Sequence, residues 1–185
     1  MTDTQTGRPP VVLINGAPGS GKSTLAALVA ADLPLALALD IDQLKFSLGG
    51  WRDDLNAAGL QARRLALALI AEQLAEEHPV VLGQYLARTL FIEALEEAAH
   101  AGGGRFVEIV LDVSADHLRT RLAGRSANPD RPEQAHNATL VGPDDADRLV
   151  ASMVELRALR PHAHVVDGNA DIATTLAAIR ERIGA

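Results

Sequence analysis

The densest group of residues able to do chemistry is NGAPGSGKST, residues 15–24. Gly16, Gly21, Lys22 and Ser23 have the spacing G-x-x-x-x-G-K-[ST] of a phosphate-binding loop. In such a loop the backbone N–H groups curl around a phosphate, and the positive end of the following helix dipole faces the same point. The motif predicts nucleotide binding, because it lies between an apolar run typical of a buried strand and a segment with helical spacing. A glycine-rich turn that matches by chance lacks this context.

The same motif assigns roles to single residues. Lys22 is expected to reach the β- and γ-phosphates of ATP, and the Ser23 hydroxyl to ligate Mg²⁺. Pro18 contributes no amide, because proline lacks an N–H group. The predicted cofactor-binding residues form one contiguous run: Gly16, Ala17, Pro18, Gly19, Ser20, Gly21, Lys22, Ser23 and Thr24.

Two carboxylates, Asp40 and Asp42, flank Ile41 after a second apolar run. Alternation along a strand points both side chains the same way, toward the crevice where parallel sheets bind ligands. Asp40 is a candidate for contact with the substrate and for holding Mg²⁺ through water. Asp42 has an alternative role as the cap of a helix beginning at Gln43. Lys45 and Trp51 follow closely, where an acceptor molecule is expected to lie.

The elements that position these residues alternate along the chain. Strands are predicted at residues 11–14, 35–39, 79–84, 105–112 and 162–167. Between them the sequence predicts a helix after the P-loop, a short helix from Gln43 closed by Gly49 and Gly50, and longer helices at 55–77, after 88, after a Ser114 cap, and at 144–159. A last helix follows at 171–183. This order indicates a three-layer α/β/α domain with a parallel sheet covered on both faces.

Composition limits the class of protein. The chain has 185 residues, of which 48% are hydrophobic and 3% aromatic, so one globular α/β domain with an Ala-, Leu- and Val-rich core is expected. Cysteine is absent, which excludes disulfides and Cys-ligated metals and fits a cytoplasmic protein. No apolar run is long enough to span a membrane. A net charge of −7 argues against a general nucleic-acid binder.

The ends and one internal segment have their own predictions. Residues 1–9 are expected to be a flexible tail, and residues 10–185 a single domain. Residues 126–145 are polar and rich in proline, which is typical of a functional loop. The sequence does not indicate an oligomeric state.

With these elements in place, the chain resembles the small P-loop kinases over nearly its whole length. The segment LDIDQL, residues 39–44, is most similar to the chloramphenicol phosphotransferase and zeta-toxin branch, and more loosely to gluconate and shikimate kinases. The resemblance implies a strand order of 2-3-1-4-5, ATP as phosphoryl donor, and a polar lid at about residues 126–138. It also places Asp42 at the general-base position, where a carboxylate orients or deprotonates the acceptor hydroxyl.

The resemblance implies that arginines clamp the transferring phosphoryl group. Arg121 and Arg125 are four residues apart on one helix, where like charges repel slightly unless an anion lies nearby. Arg119 and Arg131 are weaker candidates. Any of them can instead be a solvated surface arginine, which is the commoner case.

Other residues are predicted to face the acceptor. Gln84, Tyr85 and Arg88 follow the third strand, although Tyr85 can equally serve in packing.

This strand ends in glycine and glutamine, where many P-loop proteins carry a second acid for magnesium. Asp112, after the fourth strand, is the nearest substitute or else a helix cap. Trp51 can stack on a ring or fill the core.

Two functions from different classes remain. One is ATP-dependent phosphorylation of a hydroxyl on a small molecule, such as an antibiotic, a sugar, a nucleoside or a nucleotide sugar. The other is a P-loop switch or regulatory ATPase acting on a protein partner. A carboxylate after strand two and a lid favour the kinase, and no N-K-x-D segment for reading a guanine base is present. Within the enzyme class a nucleoside or polynucleotide kinase is the second choice.

Overall fold

The computed structural model describes residues 7–127 and 141–184. Within these residues the strands are β1 (Pro10–Asn15), β2 (Leu37–Leu39), β3 (Val80–Gln84), β4 (Arg105–Asp112) and β5 (His164–Asp167). The α-helices are α1 (Lys22–Ala31), α2 (Ile41–Phe46), α3 (Leu55–Ala75), α4 (Thr89–Ala101), α5 (Ala115–Ala127), α6 (Ala146–Leu159) and α7 (Ile172–Ile183).

The strands form one parallel sheet in the order β2-β3-β1-β4-β5. This confirms the predicted fold class and strand order. β1 is the central strand, and Val11, Val12, Leu13 and Ile14 are completely buried. Near-continuous apolar strands of this kind are expected when helices cover both faces of a parallel sheet.

The helices form the two outer layers. On one face α1 contacts β1, β2 and β3, and α7 contacts β4 and β5. On the other face α4 and α6 contact β4, with α3 beside α4 and α5 beside α6. α3 buries Ala58, Ala62, Ala66, Ile70 and Leu74, each four residues from the last, so small side chains let it pack closely with few aromatic residues.

Three predicted boundaries were wrong by a few residues. β2 begins at Leu37 instead of Leu35, since Leu35 has φ +53° and lies in a turn. α3 ends at Ala75 instead of Glu77, which has φ +58°. β5 begins at His164 instead of 162, because its pairing with β4 starts there.

The helix predicted at 144–159 is correct in place, but a short 3₁₀ turn, Pro143–Asp145, precedes α6. Residues 1–6 of the predicted tail, residues 128–140 and residue 185 lie outside the described part of the chain. The predicted lid at 126–138 therefore lies almost wholly outside it. The Pro9 carbonyl accepts a hydrogen bond from the Arg105 amide at 3.1 Å, which ties the chain to the sheet just before β1.

Candidate active site

The loop between β1 and α1 has the backbone that the motif requires. Gly19 and Gly21 have φ values of +87° and +92°, a region that side chains with a Cβ rarely adopt. The Ser20 amide donates to the Ala17 carbonyl at 3.0 Å, which closes the turn. Gly21 is the N-cap residue of α1 and has no side chain to bond the first amides of the helix, an arrangement suited to an anion.

Two other glycines allow the loop to lie close to the sheet. A Cβ at Gly16 would lie 2.6 Å from Ser20 Oγ, and one at Gly83 would lie 2.8 Å from the Lys22 carbonyl oxygen. Gly83 is in β3, which pairs with β1, so the first turn of α1 passes directly over this strand. The absence of an acid at Gly83 therefore has a steric reason.

Lys22 is half-buried, and its Nζ donates to the Ala17 carbonyl at 3.4 Å. Ser23 and Thr24 are exposed in the first turn of α1. The lysine and the hydroxyl groups predicted to contact phosphate and Mg²⁺ thus lie at the same helix end.

Arg121 lies beside the P-loop on the β4 side. Its Nη1 donates to the Ser20 carbonyl at 3.2 Å, so the guanidinium of α5 contacts the loop across 101 residues of sequence. Arg119, in contrast, pairs with Asp116 at 2.7 Å and Asp147 at 3.0 Å as a surface residue. Arg125 lies within α5 with its side chain outside the described part, and Arg131 lies outside it entirely.

A cavity of about 180 Å³ opens beside the P-loop. It is lined by residues of the P-loop, α1, α5 and the segment that follows β5: Gly19, Ser20, Gly21, Thr24, Leu25, Arg121, Gly168, Ala170, Ile172 and Thr175. The last four of these residues, together with Leu25, were not predicted to be site residues. No local motif marks the last four, and only the pairing of β5 with β4 brings them to the loop.

Asn169 fixes the segment that lines this cavity. Its Oδ1 accepts from the Ser114 amide and from His117 Nδ1, both at 2.8 Å. Its Nδ2 donates to the Asp112 carbonyl at 3.3 Å and to Asp167 Oδ1 at 2.9 Å. The Asn169 amide also donates to Asp167 Oδ1, and these bonds lower the pKa of the Asp167 carboxyl. One side chain thus joins β5 and the segment after it to the turn between β4 and α5.

On the opposite side of the P-loop, the prediction that Asp40 and Asp42 alternate along the end of a strand is wrong. β2 ends at Leu39, and Asp42 lies inside α2. α2 begins at Ile41 instead of Gln43, and Asp40 is its N-cap. Asp40 Oδ1 accepts from the Asp42 amide at 2.9 Å and from the Gln43 amide at 3.3 Å. The alternative that Asp42 caps the helix is wrong, because Asp40 has the extended backbone that an N-cap residue needs and Asp42 is already helical.

The α2 helix also ends earlier than predicted. Its last residue is Phe46 and its C-cap is Ser47, so Gly49 and Gly50 do not close it. Lys45 lies in its last turn, one turn from Asp42, and both side chains are half-buried.

A pair of hydrogen bonds holds the segment after β3. Asn15 is completely buried, its Nδ2 donates to the Leu86 carbonyl, and the Leu86 amide donates to Asn15 Oδ1, both at 2.9 Å. Gln84 is half-buried at the end of β3. Arg88 is exposed at the start of α4. Gln84 and Arg88, two of the three residues predicted to face the acceptor, therefore follow β3 at the same edge of the sheet at which Asp42 follows β2.

Tyr85 contacts another helix. Its hydroxyl is 3.0 Å from Ser152 Oγ, which donates to the Leu149 carbonyl of α6 at 2.7 Å. The ring also packs against the core. Packing, the alternative interpretation, accounts for these contacts.

α6 is itself anchored through the residue after its last turn. Arg160 donates to Glu108 Oε2 at 2.7 Å and to Glu96 Oε2 at 2.8 Å. Burial raises the pKa of Glu108, and the adjacent guanidinium opposes that shift. This cluster joins the end of α6 to β4 and α4.

Asp112 is not a helix cap. Its Oδ1 pairs with Arg157 Nη1 at 3.1 Å, and Ser114 Oγ accepts from the His117 amide at 3.4 Å at the start of α5.

In residues 7–127 and 141–184, no group of three or more His, Asp and Glu side chains could hold a metal. The Ser23 hydroxyl, at the helix end where the phosphates are expected, is an oxygen donor of the kind that Mg²⁺ prefers.

The fold and the loop define a P-loop nucleotide-binding protein. A sequence profile described as AAA domain matches residues 11–142, and the chain therefore belongs to this AAA domain family. The P-loop kinase fold that the resemblance implied is confirmed. A comparison with curated protein sequences gives no match.

Solved structures share the fold at low sequence identity. A gluconokinase from Sinorhizobium meliloti 1021 is 20% identical with a TM-score of 0.60, covering 95% of this chain and 92% of its own. The Deinococcus radiodurans tunicamycin resistance protein is 16% identical with a TM-score of 0.64 and 96% coverage of both chains. A deoxyadenosine kinase from M. mycoides is 17% identical with a TM-score of 0.53, covering 94% and 97%. Among the described helices, none is both long and apolar enough to cross a bilayer.

Proposed function

We propose that this protein is an ATP-dependent kinase that transfers the γ-phosphoryl group to a hydroxyl of a small molecule. The observation that carries the proposal is the order of features along the carboxyl edge of the sheet. The cavity by β5 comes first, then Arg121 after β4, the P-loop after β1, the segment after β3, and Asp40 and Asp42 after β2.

This order matches the order of groups in a phosphoryl transfer. Neighbouring strands are about 4.8 Å apart, so β2 and β5 each lie about 10 Å from β1 on opposite sides. A nucleoside in the cavity would extend its phosphates across the P-loop toward the carboxylates. An acceptor held near Asp42 would then meet the terminal phosphate in line, as the transfer requires.

Each residue has a role in this proposal. The loop amides and Lys22 hold the phosphates, and Arg121 stabilises negative charge that develops during transfer. Mg²⁺, when bound by Ser23 with Asp40 through water, would neutralise charge on the phosphate oxygens. Asp42 accepts the proton of the acceptor hydroxyl, while the neighbouring carboxylate, Asp40, caps the helix.

The acceptor class has separate support. The structural neighbours include proteins named gluconokinase and deoxyadenosine kinase. The net charge of −7 disfavours a polynucleotide acceptor, whose phosphates a basic surface would have to neutralise.

The test uses ATP labelled at the γ-phosphate and a panel of hydroxyl compounds, with the acceptor omitted as a control. We expect ADP formation that depends on an acceptor, with the label recovered on that acceptor. Release of labelled phosphate at the same rate with and without acceptors would instead identify a regulatory ATPase.

A further inference from the structure

Aromatic residues are concentrated beside the acceptor carboxylate. The chain has three Phe, one Trp and one Tyr. Phe46 and Trp51 lie within ten residues after Asp42, and their ring centroids are 4.5 Å apart at an interplanar angle of 80°. We refer to these two rings as the Phe46–Trp51 pair.

Helix geometry places Phe46 on the Asp42 side of α2. Asp42 and Phe46 are four residues apart, so they share a face of the helix, about 6 Å apart along its axis. Side chains in helices lean toward the N-terminus, which directs the Phe46 ring back toward the turn of Asp42. Ile41 and Leu44 lie on the other face and pack against the core.

A tight turn brings Trp51 back onto Phe46. Gly50 has φ +66°, and its carbonyl accepts from the Asp53 amide at 2.9 Å. The chain therefore turns at residues 50–53, four to seven residues after the end of α2.

The rings are only half-buried, and cations lie over them. Arg52 Cζ is 4.5 Å from the Trp51 ring centroid, and Lys45 Nζ is 5.9 Å from that of Phe46. Arg52 is exposed, so its contact with the ring is the weak kind that a ligand can replace. The Arg52 guanidinium, which is itself planar, thus lies within contact distance of the Trp51 ring.

We propose that the Phe46–Trp51 pair binds the acceptor, and that the acceptor is a hydroxyl compound with a planar aromatic or heteroaromatic body. This rests on the proposed kinase function and names its substrate class. The separation of about 6 Å between Asp42 and Phe46 along the helix suits a molecule whose hydroxyl is one or two bonds from a ring. Offset or edge-to-face contact with two rings favours such a body over an open-chain sugar acid, which has no flat face.

The test uses the intrinsic fluorescence of Trp51, which is the only tryptophan in the chain. The probes are 2-phenylethanol, uridine and chloramphenicol, with gluconate as the non-planar comparison. We expect at least one planar probe to change the fluorescence saturably and gluconate to leave it unchanged. Phe46→Leu should weaken that binding by about two- to tenfold, because the ring contact is lost.

Phe106→Leu is the matched control. Phe106 is also half-buried, but it lies at the opposite end of β4 from the P-loop. It should leave probe affinity unchanged, with thermal unfolding confirming that both variants fold. If Phe46→Leu does not fold, Trp51→Phe and Trp51→Leu replace it, with probe binding measured by calorimetry. Only Trp51→Leu should lose affinity for the planar probe, because Trp51→Phe keeps a ring at this position.

The outcomes separate this inference from the proposed function. Binding of a planar probe without phosphoryl transfer supports the pair and contradicts the kinase. Transfer to an acceptor with an affinity that Phe46→Leu leaves unchanged contradicts the pair and supports the kinase. The inference is also overturned if no planar probe binds, or if Phe46→Leu leaves the affinity of every planar probe unchanged.

Discussion

The two sides of the P-loop are built differently, although both lie at the carboxyl edge of one sheet. On the β5 side, Asn169 bonds backbone and side-chain groups of the β4–α5 turn and of β5, and the cavity wall is mostly backbone and small residues. On the β2 side, hydrogen bonds fix the backbone through Asp40 and Asn15. The surface there consists of side chains projecting from α2 and from the segment after β3.

This difference indicates where each substrate acquires its specificity. A wall held by hydrogen bonds to the backbone suits a ligand of constant shape, which the nucleotide is. A surface of side chains on a fixed backbone can be altered by substitution without moving the P-loop. Changes on the β5 side should therefore act on ATP affinity, and changes on the β2 side on turnover and acceptor affinity.

The largest effect should come from Asp42→Asn. Turnover should fall roughly 10² to 10⁴-fold, because asparagine cannot accept the proton, while ATP affinity stays nearly constant. The measurements are turnover with a working acceptor and ATP binding by calorimetry.

Asp40→Asn is its control, since asparagine and aspartate cap helices about equally well. It should preserve stability and reduce turnover less than Asp42→Asn. Near-normal turnover in Asp42→Asn would contradict the assignment and make Asp40 the candidate base.

Lys22→Ala should reduce turnover by roughly 10² to 10³-fold, as expected for losing one charge-stabilising donor. Unlike Asp42→Asn, it should also weaken ATP binding. The free energy of unfolding should change by less than about 1 kcal/mol, because the lysine is outside the core. Steady-state kinetics and denaturant unfolding test both parts, and unchanged turnover would exclude the kinase assignment.

Gly83→Ala should destabilise the fold by about 1–3 kcal/mol, because the added Cβ would press on the backbone of Lys22. The start of α1 must move, so ATP affinity should fall as well. Gly59→Ala is the control, since a Cβ there meets no atom within 4 Å. Equal stability of the two variants would show that the close contact is not required.

The smallest effect is expected from Asn169→Ala. ATP affinity should fall only a few-fold with acceptor KM unchanged, because the lost hydrogen bonds support the cavity wall and Asn169 is not itself one of the lining residues. Steady-state kinetics in which ATP and then the acceptor is varied measure the two KM values separately. A change confined to the acceptor KM would contradict the division between the two sides.

The same variant should raise the pKa of Asp167 toward its ordinary value, measurable by NMR titration. A carboxyl with a lowered pKa in the folded state adds stability at neutral pH, and that contribution is lost as pH falls through the folded pKa. Asn169→Ala should therefore show a smaller loss of stability on acidification. The variant keeps the backbone amide that bonds Asp167, which is the larger cause of the lowered pKa, so the rise should be partial; an unaltered Asp167 titration would show that the Asn169 side chain does not contribute.

The sequence by itself determined the P-loop and the alternation of strands and helices, and it predicted two carboxylates, Asp40 and Asp42, at the end of the second strand. These features depend on local spacing, on glycines that accept positive φ, and on apolar runs that must be buried, all of which a sequence displays directly. The resemblance to P-loop kinases supplied the strand order, which the structure confirms.

Only the tertiary structure decided which carboxylate caps α2, because the helix begins at Ile41, two residues before the predicted Gln43, and Asp40 is therefore its N-cap. It also decided the wall of the cavity, since Gly168, Ala170 and Ile172 are more than 140 residues from the P-loop and reach it only through the pairing of β5 with β4. The contact of Phe46 with Trp51 depends likewise on a turn at Gly50. Contacts between distant segments follow from packing, which no local pattern in the sequence records.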